Sequence, residues 1–130
     1  MDGKRNRLRK IFFIFLIIFG LCSISFAKHL HKEKYYQNKW CKGHTGKTEV
    51  VMPDGTRCDC ITDEYAIEFD FAPKWAEAIG QALYYALQTG KKPGIVLILE
   101  HEKDYKYWIR LNTVIKKCKL PIKTWIIKNT

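Results

Sequence analysis

Zinc-binding motifs, long apolar runs, repeats and low-complexity stretches are all missing from this chain, and acidic residues are few, 13 against 23 Lys and Arg. Without a C-x-x-C pair or histidines at finger spacing, a structural zinc site is a poor fit. No Ser/His/Asp or Cys/His arrangement stands out as a hydrolytic nucleophile. Gly43-His44-Thr45-Gly46-Lys47-Thr48 imitates a phosphate loop, but that motif needs four residues between its glycines and an apolar strand before them. Here two residues separate the glycines, no such strand precedes and no helix follows. The apolar run from Ile11 to Cys22 is shorter than the roughly 20 residues that cross a bilayer.

What is present begins with Lys4, Arg5, Arg7, Arg9 and Lys10, followed by that apolar run and then Ser25-Phe26-Ala27. This charged, apolar, small-residue order predicts a secretory signal over residues 1–27, cleaved near Ala27-Lys28, and an exported (periplasmic or secreted) single domain over 28–130. An uncleaved membrane anchor is the alternative, and only then is a membrane a partner. Leu21, directly before Cys22, is not the small residue a lipoprotein signal places there. Losing five basic residues and Asp2 lowers the formal charge from +10 to +6. The remaining surplus is concentrated between Lys91 and Lys128. It suits a polyanion such as nucleic acid or an acidic membrane surface, or else marks an ordinary solvated face.

Cys41, Cys58, Cys60 and Cys118 permit two disulfides in three pairings, among which sequence does not choose. Cys58 and Cys60, two apart on one strand, are expected to share a face and to be poorly placed to bond each other. His44 and His101 lack partners and are read as loop or surface residues. Trp40, Trp75, Trp108 and Trp125 are read as packing residues.

Hydrophobic spacing predicts a helix over Leu30–Trp40 and a loop over Lys42–Lys47, then strands Thr48–Met52 and Thr56–Ile61 around the turn Pro53-Asp54-Gly55. After Thr62-Asp63-Glu64 a third strand, Tyr65–Phe71, completes a meander. The period then changes to a helix over Lys74–Gln88 that Gly90 ends. Ile95–Leu99 reads as a buried parallel strand, reached by a crossover. A helix over Lys103–Cys118 and a strand over Thr124–Ile127 follow.

On the third strand Ile67, Phe69 and Phe71 share one face while Glu68 and Asp70 share the other. Adjacent carboxylates on an otherwise apolar strand repel each other unless a cation or a donor sits between them. Asp59 on the preceding strand reaches the same place. Three clustered carboxylates are a ligand set for a hard cation such as magnesium. Along the following helix Lys74, Ala78, Gln81 and Tyr85 fall in one narrow stripe, which makes a wall suited to an anionic site.

At these residues the chain resembles the PD-(D/E)XK, or restriction-endonuclease-like, nuclease superfamily, and especially its members with a Q-x-x-x-Y helix. The likeness runs from Thr48 to about Leu99: Glu49 on the first strand, Arg57-Cys58-Asp59 on the second, Ile67-Glu68-Phe69-Asp70 on the third, and Gln81-Ala82-Leu83-Tyr84-Tyr85 on the helix. It implies an α/β fold (an α+β mixed sheet) with an αβββαβ core, here extended by a C-terminal helix and strand. It also implies magnesium or manganese held by Asp59 and Glu68 with help from Glu49, and no small-molecule cofactor. Gln81 and Tyr85 would contact nucleic acid or support the site. The family's lysine position holds Asp70 here. Lys74 is then the substitute that orients the attacking water, and Asp70 is either a third metal ligand or the mark of an inactive relative. The expected function is metal-dependent phosphodiester hydrolysis of nucleic acid. The alternative is a catalytically inactive exported interaction module. So small a domain offers little surface for sequence readout, which implies weak specificity or a protein partner.

Overall fold

A computed structural model describes residues 3–7 and 28–129. Apart from residues 3–7, which are helical, the segment read as a signal lies outside the described residues, as does Cys22. No helix among the described residues is long and apolar enough to cross a membrane. The domain opens with helix α1 (Glu33–Gly43), followed by strands β1 (Lys47–Val51), β2 (Arg57–Ile61) and β3 (Tyr65–Phe71). A 3-10 turn at Ala72–Lys74 leads into helix α2 (Trp75–Thr89) and strand β4 (Lys92–Leu99). A second 3-10 turn at Glu102–Asp104, helix α3 (Tyr105–Lys117) and strand β5 (Lys123–Lys128) complete the chain.

The five strands form one mixed sheet in the order of the sequence. β1, β2 and β3 pair antiparallel, while β4 lies parallel to both β3 and β5. The expected meander and parallel crossover are both present. β4 is an interior strand whose apolar run has a core on each side. Ile95, Leu97 and Leu99 pack with Ala78 and Ala82 of α2 and Leu111 of α3. Val96 packs with Trp40, Ile67 and Phe69, and Ile98 with Tyr36 and Phe71, on the side of α1. Full burial of one such aliphatic side chain stabilises by about 1.5–3 kcal/mol, enough to hold the layers together across β4. The helices α2 and α3 therefore cover one face of the sheet and α1 the other.

Helix boundaries follow local chemistry. α1 starts at Glu33, later than hydrophobic spacing predicts, because the backbone N–H groups of Leu30 and His31 are taken by the Glu100 carboxylate. It runs on through Gly43, which shortens the expected loop. α2 ends as expected: Gly90 adopts a left-handed φ of 68° and its N–H bonds the carbonyl of Ala86. β4 begins at Lys92, before the apolar run, because Pro93 and Gly94 continue the parallel register opposite Ala66 and Ile67. Of the four tryptophans, Trp40 is buried, and Trp75, Trp108 and Trp125 pack against core clusters. His44 does have a partner, since its ring stacks on Trp40 at a centroid distance of 3.6 Å.

Among the described cysteines a single disulfide forms, not the two that the count permits. Cys41 of α1 bonds Cys60 of β2, while Cys58 is buried and free and Cys118 exposed and free. Contrary to the alternation expected of a regular strand, Cys58 and Cys60 do not share a face. Cys60 joins the cluster under α1, whereas Cys58 packs with Met52, Ala66 and Tyr85 on the α2 side. The strand is irregular between them: the β1–β2 ladder skips the opposed residues Glu49 and Asp59, and Glu49 takes a left-handed φ of 54°. Gly46 closes over the disulfide, where a Cβ would stand 2.5 Å from the Cys41 sulfur and 2.7 Å from that of Cys60.

Candidate functional site

The irregularity in β2 creates the site. β2 and β3 pair only at Cys60↔Ile67 and Ile61↔Ala66. Beyond that point the Asp59 carboxylate, not a strand carbonyl, accepts the Phe69 N–H at 2.8 Å. Asp59 is thereby held against β3 at the backbone between Glu68 and Asp70. Glu68 and Asp70 alternate onto the α2 face as expected and are buried, at 6% and 4% exposure.

Placing half-buried Asp59 by buried Glu68 and Asp70 has a clear electrostatic result. Desolvation, reinforced by the neighbouring charges, pushes Asp59 and Glu68 up together. Asp70 is pushed up to about 7, chiefly by burial and then by Glu33, against the opposing pull of Lys74. Glu68 Oε2 is buried and has no hydrogen-bond partner. The site thus holds protons, or a cation, in place of full negative charge.

Glu33, at the start of α1, is the residue the sequence reading missed. Its charge acts on Asp59, Glu68 and Asp70 alike, and its own carboxyl is raised by burial. Gln37, one turn on and buried, donates its amide to Glu33 Oε1 at 3.0 Å and leaves its own Oε1 unpartnered. Glu33, Gln37 and Cys41 recur at four-residue steps on α1, so one helix face presents the carboxylate, the amide and the disulfide sulfur. That spacing was the available signal, but nothing in the sequence says which way α1 docks.

The remaining expected residues divide. Lys74 is exposed at the head of α2, near enough that its charge lowers Asp70 and Glu33. Glu49 is half-buried and pairs with Arg57 at 3.3 Å, although its charge still reaches Asp59 and Glu33. Gln81 is half-buried on α2. Tyr85 is only 7% exposed among Met52, Cys58 and Ala66, with its phenol pushed up to about 12 by burial and by Glu68 and Asp59. It backs the site from below.

Asp59, Glu68 and Asp70 offer only carboxylate oxygens, the donor type that a hard divalent cation takes. Among the described residues, however, no three His, Cys, Asp or Glu side chains already stand at metal-holding spacing. Desolvation is the largest cause that raises all three carboxyls, and a nearby positive charge would oppose it, as Lys74 already does at Asp70. Compared with family models, curated proteins and solved structures, the chain matches none.

Proposed function

We propose that the protein is a metal-dependent phosphodiesterase of restriction-endonuclease-like architecture that hydrolyses nucleic acid. The observation that carries this reading is the half-buried Asp59 carboxylate held on β3 between buried Glu68 and Asp70, with Glu68 Oε2 unpartnered. Element order supports it: an initial helix, a three-stranded meander, a crossover helix and a parallel strand carry these residues in the expected positions.

In this reading Asp59, Glu68 and Asp70 hold magnesium or manganese, and Glu33 with Gln37 closes the site from α1. The cation supplies charge neutralisation for the phosphodiester and acidifies a bound water. Lys74, whose charge already acts on Asp70, orients the attacking water and offsets negative charge as it develops. Tyr85 and Gln81 support the wall on the α2 side.

Purified protein given magnesium or manganese is expected to cleave DNA or RNA. Asp59→Asn and Glu68→Gln should each lower the rate by at least about 100-fold, the scale of losing an electrostatic catalytic group. Cleavage that survives both substitutions would overturn the reading. A second reading, an inactive interaction module on the same fold, is favoured by one observation: the position two residues after Glu68 holds a buried acid, Asp70, where the family has its lysine. Cation binding without turnover under any of these conditions would select it.

A further inference from the structure

Beside the acidic cluster, at the carboxyl ends of β3 and β4, lies a separate cavity of about 200 Å³. Phe71, the residue after Asp70, forms part of its wall, as does Pro73, the residue before Lys74. Cavity and cluster are therefore neighbours along one short segment of chain. Lys28, Lys103, Lys106 and His101 also line it, with Tyr107.

Two acids share the lining, but both are already satisfied. Glu100 accepts from His29 Nδ1 at 2.8 Å, from the Leu30 and His31 N–H groups and from the Tyr36 hydroxyl. Asp104 accepts the backbone N–H groups of Glu100 and His101. Neither carboxylate pairs with a cavity lysine. Lys106 lies 5.0 Å from the Tyr107 ring, which draws its ammonium to the cavity wall. Lys28, Lys103 and Lys106 thus outnumber the two carboxylates, of which Glu100 is spent on residues 29–36 and Asp104 on the backbone of Glu100 and His101.

We propose that this cavity is a phosphate subsite, which seats a phosphate of the nucleic-acid strand next to the one presented to the acidic cluster. The inference rests on the phosphodiesterase reading for its ligand. A polyanionic strand is repelled by an acidic cluster unless cations flank it, and these lysines are flanking cations. Nothing in the geometry reads a base, so the subsite contributes affinity and register and no sequence preference.

The test is equilibrium binding of a fluorescent single-stranded oligonucleotide in chelator, across a range of salt, so that no turnover is needed. Lys103→Ala/Lys106→Ala should weaken binding at least about fivefold and flatten the salt dependence by about 1.4 in slope, since each single-strand phosphate contact contributes roughly 0.7. Lys116→Ala/Lys117→Ala, at the other end of α3, removes equal charge away from the cavity and should leave the slope nearly unchanged. All four side chains are exposed, so both variants should melt like the parent. The subsite is overturned if the two double variants lose equal affinity, if neither does, or if the parent binds anionic lipid vesicles but not the oligonucleotide. Binding lost as expected in a protein that never cleaves would retain the subsite and reject the nuclease.

Discussion

Glu68 and Asp70 show what a single side chain costs when its environment is built for something else. In a chelated protein the folded state keeps Asp70 protonated up to about pH 7, against about pH 4 in the unfolded chain. Between those values the folded state binds more protons than the unfolded one, so stability falls as pH rises. Asp59 and Glu68 push the same way. Asp54, held down to about 2 by hydrogen bonds from Thr56 and Tyr84, has the opposite sign but acts only below about pH 4. With cation chelated, the melting temperature is therefore expected to drop by several degrees between pH 5 and pH 8, and Asp70→Asn should flatten that decline. Thermal melts of parent and variant across this range check it, and parallel profiles would contradict the assignment. The alternation of Glu68 and Asp70 was legible because a strand has period two. Glu33 was not: a glutamate at a helix start is ordinary, and only the docking of α1 gives it neighbours.

At the scale of elements, the Cys41–Cys60 bond determines how α1 meets the sheet. It joins the α1 face carrying Glu33 and Gln37 to the strand residue next to Asp59. Closing a loop of this separation is worth about 3 kcal/mol. Cys41→Ala/Cys60→Ala should lose that much in urea unfolding, and magnesium should then raise its melting temperature less than it raises the parent's. An unchanged unfolding midpoint would show that packing of Tyr36 and Trp40 holds α1 unaided. Sequence spacing could not select this pairing. It rests on a break in β2 that turns Cys58 to one side and Cys60 to the other, and the break depends on Asp59 bonding to β3. Strands, helices and the parallel β4 were readable because each follows from local hydrophobic period. The break follows from tertiary contact.

The whole molecule is assembled mostly from neighbours in sequence, since each strand pairs with the next. The main exception is the set of bonds from residues 29–36 to Glu100, which span 64 to 71 positions. Loops that long are entropically expensive to close and tend to close late. Tyr36→Phe, which deletes one hydrogen bond to a carboxylate, is expected to speed unfolding about tenfold and leave refolding nearly unchanged, in keeping with a contact formed after the rate-limiting step. Stopped-flow kinetics in urea would measure both limbs, and a slowed refolding limb would place Tyr36 in the nucleus instead.

Glu33 stands between Leu30 and Tyr36, inside the segment that Glu100 secures. During synthesis Glu100 emerges long after Asp59, Glu68 and Asp70. A chain stopped short of it would carry the acidic cluster on an unfinished sheet, with α1 tied there by Cys41–Cys60 but without the carboxylate that secures residues 29–36.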